Sequence, residues 1–300
     1  MPGSPITTVM ARYKGRLSPA TIRALQAAFG IHPRENIFNQ YFDYINNIIH
    51  LNFGLSFTFF PEPVSQVVLQ AFPWTLALAG ITTIIGFILG TFAGMLVGWK
   101  RGGVLDSVAT PLFVVLSAVP YFWLGLLVLY LIPISTGHFP LGGGYDSIGD
   151  YPHLSWGFMW DAVVHAFLPA TVVVVTAIGT WILTMRNNMI GTLSEDYVRM
   201  ARAKGLSSLR IMTLYAGRNA ILPNLAGFAM SLGFVVSGLL LVEIVFNYPG
   251  VGFLFYQAVE NEDYPLEQAL FLMVTVAVLV AILIADVANA LLDPRTRGHD

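Results

Sequence analysis

Apolar residues in this chain fall into five long blocks: Trp74–Gly98, Val108–Pro133, Ala166–Met185, Asn224–Val245 and Ala269–Leu292. Each is about as long as the ~20 residues an α-helix needs to cross the hydrocarbon core of a bilayer. The blocks are continuous, whereas the strands of a membrane barrel alternate apolar and polar positions in short segments. Lipid offers the backbone no hydrogen-bond partners, so a continuous apolar block crosses it as a helix. The pattern predicts an all-α integral membrane protein with five visible transmembrane helices.

The polar intervals carry their own signals. Ser194–Pro223 is the longest hydrophilic interval of the second half and reads as two short helices. Ser194 suits the N-cap of the first, with Glu195 and Asp196 in its opening turn, where the helix dipole favours negative charge. Arg202 and Lys204 fall in its last turn, and Gly205 supplies the left-handed residue that ends it. Ser207 or Ser208 can cap a second helix running to about Ala220, and Pro223 marks the entry to the next span. Ahead of the first block, residues 1–73 also read as helical. One helix starts at Ser18-Pro19, places Ile22, Leu25 and Phe29 on one face, and closes at Gly30. A second covers Ile37–Ile49, with Ile37, Tyr41, Tyr44 and Ile48 on one stripe, and a third, Val64–Phe72, leads into the first span.

Composition confirms the solvent. Of 300 residues, 56% are hydrophobic and 11% charged, against roughly 25% charged in a soluble domain. The absence of cysteine excludes disulfides, thiol nucleophiles and cysteine metal sites.

The net charge of −2 says little, but its distribution says more. Lys100 and Arg101 follow the first block, and Arg186, Arg199, Arg202, Lys204, Arg210 and Arg218 follow the third. Arg295 and Arg297 lie in the tail, residues 293–300. The intervals His138–His165 and Asn247–Leu266 hold no Lys or Arg, only Asp146, Asp150, Asp161, Glu260, Glu262 and Asp263. Basic residues stay on the cytoplasmic side, which puts the Ser194–Pro223 loop and the C-terminus in the cytoplasm. Five spans ending inside put residues 1–73 outside, although they carry Arg12, Lys14, Arg16, Arg23 and Arg34. Either a further N-terminal span precedes them, making six, or this extracytoplasmic segment crosses unaided.

Candidate chemistry is sparse. Glu243 and Asp286 are ionisable residues within apolar blocks, which makes them functional suspects. Both lie near span ends, from which they can reach headgroups or a neighbouring loop. Pro111, Pro120 and Pro169 lie inside spans, where they would kink helices or line irregular backbone near a pathway; Pro120, flanked by Ala118 and Tyr121, is the best candidate for a pathway kink. Pathway candidates are therefore Pro120, Tyr121 and Glu243. Tyr248-Pro249-Gly250 enforces a turn after the fourth block. The six histidines show no metal-ligand spacing, and no nucleophile constellation is present. No G-x-x-x-x-G-K-[ST] phosphate loop occurs, and Gly142-Gly143-Gly144 lacks the lysine and reads as a turn. A pump built from this chain must draw ATP energy from another polypeptide. On physical grounds the central loop is equally a docking surface for such a partner or a positive loop anchoring topology.

The segment YVRMARAKG followed by NAILP resembles the cytoplasmic loop motif of ABC importer permeases, in the form used by the dipeptide/oligopeptide family. The general motif carries Glu-Ala-Ala where Arg199-Met200-Ala201 stand here, and the interval from Gly205 to Leu222-Pro223 is longer; both departures are similar to the peptide-type subfamily. Glu243, Phe246, Tyr248-Pro249-Gly250-Val251-Gly252 and Asp263-Tyr264-Pro265 resemble that family's last external loop. Asp293-Pro294-Arg295-Thr296-Arg297 resembles its ending, and Met1-Pro2-Gly3-Ser4-Pro5 the segment after its first transmembrane helix. The resemblance implies a cell-membrane permease subunit that breaks no covalent bond and binds no cofactor or nucleic acid. It would line half a translocation pathway for peptides, with a second homologous permease supplying the other half. Relatives of the family also carry oligosaccharides and nickel chelates. Cytoplasmic ABC ATPase subunits would dock on Tyr197, Arg199, Ala201, Arg202, Ala203, Lys204 and Gly205, and an extracytoplasmic substrate-binding protein would deliver the solute.

Overall fold

The computed structural model describes residues 36–146, 155–235 and 239–292. The helix expected at Ser18–Gly30 and the tail 293–300 lie outside the described residues, as does the side chain of Asp286. Helix α1 is Ile37–Ile49, as the pattern predicts, with the side chain of Asn36 accepting from the Phe38 N–H. Phe38, Tyr41 and Phe42 stay exposed on it.

The expected third helix and first span are one element, α2, Val64–Trp99. At 36 residues it is about 54 Å long, well beyond a ~30 Å hydrocarbon core. Pro73 sits inside it and removes one backbone donor. The helix runs on because its first turns are held from outside: Val64, Val67, Val68 and Ala71 are buried against Val251, Leu254, Leu266 and Leu270.

The second block is two helices, α3 (Val104–Ala118) and α4 (Tyr121–Leu129), the latter continuing into a π-helical turn, Tyr130–Ile134. Their axes differ by 91°, so the single span expected over Val108–Pro133 is broken. The cause is local. Pro120 offers no N–H, and its ring pushes the preceding residue out of the helical region; Val119 has ψ 123° and Pro120 ψ 129°.

Helix α5, Trp156–Thr192, extends the third block at both ends. The central loop follows as α6 (Asp196–Ala203) and α7, a rod made of Ser208–Arg210, a π-helical Ile211–Gly217 and Arg218–Ala220. The fourth block is also interrupted: α8 is Leu222–Phe234 and α9 is Leu240–Val245, with Leu239 non-helical. Phe246 and Val242 of the α9 region are pinned in a cluster with Leu168 and Val172 of α5 and Leu124 and Val128 of α4, which fixes α9 independently of α8. Helix α10 is Val251–Glu260, and α11, Tyr264–Leu292, contains the fifth block.

Three helices among the described residues are long and apolar enough to span alone, α2, α5 and α11, and the bent α3–α4 pair passes the same test together. Helix α2 lies along α5, α3 packs on α5, and α8 packs on α11. The α2–α5 contact is close because Gly86, Gly90, Gly94 and Gly98 recur every four residues on α2. A β-carbon at Gly90 would lie 2.4 Å from the Trp181 β-carbon, and one at Gly94 would lie 2.5 Å from the Ile182 carbonyl oxygen. Small residues at this spacing let helix backbones approach within a membrane.

Candidate functional site

The central loop is built around the end of α6. Gly205 has φ 72°, as its left-handed assignment requires. Its N–H donates to the Arg202 carbonyl at 3.0 Å, and the Leu206 N–H donates to the Ala201 carbonyl at 3.3 Å. This pair of bonds closes the helix in a Schellman motif. The start differs from expectation. The N-cap is Glu195, with no side-chain cap, while the Ser194 hydroxyl donates backwards to the Gly191 carbonyl at 2.6 Å. Ser194 thus satisfies the open carbonyl end of α5 rather than the open N–H end of α6. Ser207 precedes α7 as its N-cap position.

Helix α6 lies against the ends of the long helices. Val198 and Ala201 are buried with Met95 of α2, Met185 and Met189 of α5, and Ile211, Met212 and Ala216 of α7. Ala201, expected at a docking surface, is 2% exposed and belongs to the chain's own core. Its small side chain, three residues from Val198, lets α6 approach that core. Tyr197 accepts a hydrogen bond from the Asn219 side-chain amide at 2.7 Å, and the Arg202 guanidinium lies 5.7 Å from the centre of the Trp99 ring. Arg199, Met200, Ala203, Lys204 and Gly205 face outward, Met200 being 59% exposed.

At the opposite end of α2, Glu243 is fully buried. Its carboxylate accepts from the Thr75 hydroxyl at 2.8 Å, from the Gly252 N–H at 2.6 Å and from the Phe253 N–H at 3.3 Å. It faces the open N-terminus of α10, where N–H groups and the helix dipole favour an anion. Thr75 Oγ1 also accepts from the Val251 N–H at 2.7 Å. Of the two routes open to Glu243, headgroups or a neighbouring loop, the structure takes the second. Gly250 and Gly252 are needed because β-carbons there would sit 2.4 Å and 2.8 Å from the Glu243 carboxylate. Tyr248 is buried beside it; burial first, and then the charge of Glu243, push its phenol above the ordinary range. Trp74 contacts Tyr145, Phe158 and Tyr248 at ring-centre distances of 5.7–6.2 Å, tying α2, α5 and the two acidic intervals together. Asp263 performs a similar task nearby, accepting from the Ser56 hydroxyl at 2.5 Å and the Thr58 N–H at 2.8 Å.

Pro120 and Tyr121 stand at the break between α3 and α4, both exposed. The side-chain hydrogen bonds of Glu243 run to α2 and α10 and to neither of them. Two features escaped the pattern reading. Asp106 of α3 and Arg186 of α5 form a two-pronged ion pair, with Nε to Oδ1 at 2.5 Å and Nη2 to Oδ2 at 3.0 Å. Gly102 N–H and the Thr110 hydroxyl complete the Asp106 carboxylate. The signal was a lone aspartate beside the second block, at the end where basic residues gather. The glycine stripe was also legible, as three overlapping G-x-x-x-G repeats from Gly86 to Gly98.

Residues 86–298 match the family described as the binding-protein-dependent transport system inner membrane component. The chain is 32% identical to the di/tripeptide transport system permease protein DppB of Pseudomonas aeruginosa, over 99% of this chain and 90% of that protein. It is 30% identical to the oligopeptide transport system permease protein AppB of Bacillus subtilis, over 98% of this chain and 90% of that protein. Identity to the dipeptide transport system permease protein DppB of Escherichia coli is 30%, over 99% and 91%. Among solved structures, the fold is similar to the inward-facing MetNI methionine ABC transporter, with a TM-score of 0.61 at 14% identity, covering 77% of this chain and 99% of that one. An amino acid ABC transporter solved with histidines gives a TM-score of 0.54 at 14% identity, over 76% and 95%. Matched along nearly its whole length by permeases and in its fold by ABC transporter chains, this chain belongs to the binding-protein-dependent transport system inner membrane component family.

Proposed function

We propose that this chain is the membrane-spanning half of an ATP-driven importer for peptides and that a separate ATPase engages it through the outward face of α6. That face carries the proposal: Arg199, Met200, Ala203, Lys204 and Gly205 project from a helix whose opposite side is anchored in the chain's own core. An exposed methionine among basic residues fits a groove with an apolar floor and an acidic rim. The chain contains no phosphate-binding loop, so the energy must arrive through such a contact. A second permease would complete the pathway, with Pro120 and Tyr121 at the broken span as candidate lining residues. A binding protein would deliver substrate at the acidic end, where Glu243 keeps α10 seated. The basic end, and with it the C-terminus, would face the cytoplasm of the cell membrane. The names of the relatives point to dipeptides, tripeptides and oligopeptides as the cargo class.

The test is reconstitution of the complete transporter in proteoliposomes with labelled dipeptides. Uptake should require hydrolysable ATP, and Lys204→Glu combined with Met200→Asp should release the ATPase from the purified complex while the permease still inserts. Uptake that persists without ATP hydrolysis, or an ATPase retained by the double variant, would sink the proposal.

A further inference from the structure

On α6, Val198, Ala201 and Arg202 are spaced three and four residues apart, so they share one face of the helix. Val198 and Ala201 are the buried pair, while Arg202, itself exposed, leans along that side of the helix with its guanidinium over the ring of Trp99. Trp99 is the last residue of α2 and itself packs on the same methionine-rich cluster. At the other end of α6, Tyr197 is tied to Asn219 of α7. Helix α6 is thereby fastened to its own chain at both ends, while the face bearing Arg199, Met200, Ala203 and Lys204 is exposed.

Helix α2 then continues without interruption from Trp99 to Thr75, whose hydroxyl holds Glu243 at the acidic end. The glycine stripe packs the Gly86–Gly98 part of this helix closely against α5. A displacement of the C-terminal end of α6 that Arg202 passes to Trp99 would travel along this element to the Glu243 junction.

We propose that Arg202 is a positioning residue that couples α6 to α2 through Trp99, rather than a residue that grips the ATPase. This rests on the docking function proposed above for the outward face of α6. An arginine suits the task because its planar, weakly hydrated guanidinium stacks on an indole better than an ammonium does.

The experiment measures two things on the reconstituted full transporter: ATPase retained through purification, and labelled dialanine moved per ATP hydrolysed. Arg202→Ala should retain the ATPase at the wild-type ratio yet lower dialanine per ATP about two- to fivefold, the size expected of one exposed cation–π contact. Arg202→Lys should recover part of the loss. Trp99→Phe, which preserves packing, should act in the same direction more weakly. Trp99→Leu and Arg202→Ala together should do no more harm than Trp99→Leu alone. Loss of the ATPase in Arg202→Ala would make Arg202 a docking residue and overturn the inference, as would an unchanged transport ratio or fully additive losses in the double variant. Failure of the docking proposal reads out separately, as an ATPase retained when Lys204 and Met200 are both replaced.

Discussion

Glu243 and Thr75, 168 positions apart in sequence, meet at 2.8 Å in the interior of the protein. One hydroxyl serves two partners: it donates to the carboxylate and accepts from the Val251 N–H. Glu243 in turn holds the first N–H groups of α10, so a single junction joins α2, α9 and α10.

Thr75→Val keeps the shape of this junction and removes its hydroxyl. It should lower stability by about 1–3 kcal/mol, because a buried carboxylate loses a donor and the Val251 N–H loses its acceptor. Thr75→Ser should retain most of the wild-type stability. Thermal unfolding of the detergent-solubilised permease, followed by size-exclusion chromatography, checks both; equal melting for valine and wild type would refute the role.

The Asp106–Arg186 pair predicts an asymmetric outcome. Removing one partner leaves the other charge largely buried and uncompensated, so Asp106→Asn or Arg186→Gln should each cost about 3 kcal/mol. The exchange Asp106→Arg with Arg186→Asp should be less damaging than the sum of the single reversals. Expression level and thermal unfolding of the five variants, the two single reversals included, report the coupling, and additive losses would show that the two side chains act separately.

Gly94→Leu should separate α2 from α5. Even a β-carbon there lies 2.5 Å from the Ile182 carbonyl oxygen and 2.8 Å from the Met185 β-carbon, so the backbone would have to shift. Overpacking of this kind costs about 1–3 kcal/mol or more. Gly80→Leu, where a β-carbon meets nothing within 4 Å, is the control and should fold normally. Comparable folded yields for the two variants would contradict the glycine-mediated contact.

Gly205 needs its backbone conformation, not space: φ is 72°, and a β-carbon would touch nothing within 4 Å. Gly205→Val should therefore strain the end of α6 by about 1–2 kcal/mol and reduce ATP-driven uptake, whereas Gly205→Asn should be nearly silent, because asparagine tolerates the left-handed region. Uptake assays in proteoliposomes distinguish them. Equal uptake by the valine variant and wild type would show that the Schellman turn is dispensable.

Much of the architecture was readable before any fold was known. Among the described residues the apolar blocks are helical apart from the breaks at Pro120 and Leu239, the interval Ser194–Pro223 forms helix, glycine bend and irregular second helix, and Gly205 ends α6 with positive φ. These features depend on residues close together in the chain, through propensity, capping chemistry and the need of a backbone in lipid to bond with itself. The sharpness of the break at Pro120, expected as a kink, and the interruption at Leu239 have a different origin. Proline within a block is ambiguous, since Pro111 and Pro169 sit inside intact helices while Pro120 divides α3 from α4. At Pro120 the local constraint on the backbone stands as a break, whereas outside packing of the first turns holds α2 whole past Pro73.

The sequence by itself determined that this is a helical membrane protein, where its hydrophilic loop lies and how α6 ends. Tertiary structure alone decided which side chains of that loop turn inward, so that Ala201 is core and Met200 is surface. It also decided that Glu243 finds Thr75 and Gly252, and that Arg186 finds Asp106. The physical reason is range. Burial and hydrogen bonding in lipid constrain each segment locally, but pairing a charge depends on which helices pack side by side: α3 against α5 for Asp106 and Arg186, and α2 against α10 for Glu243 and its partners.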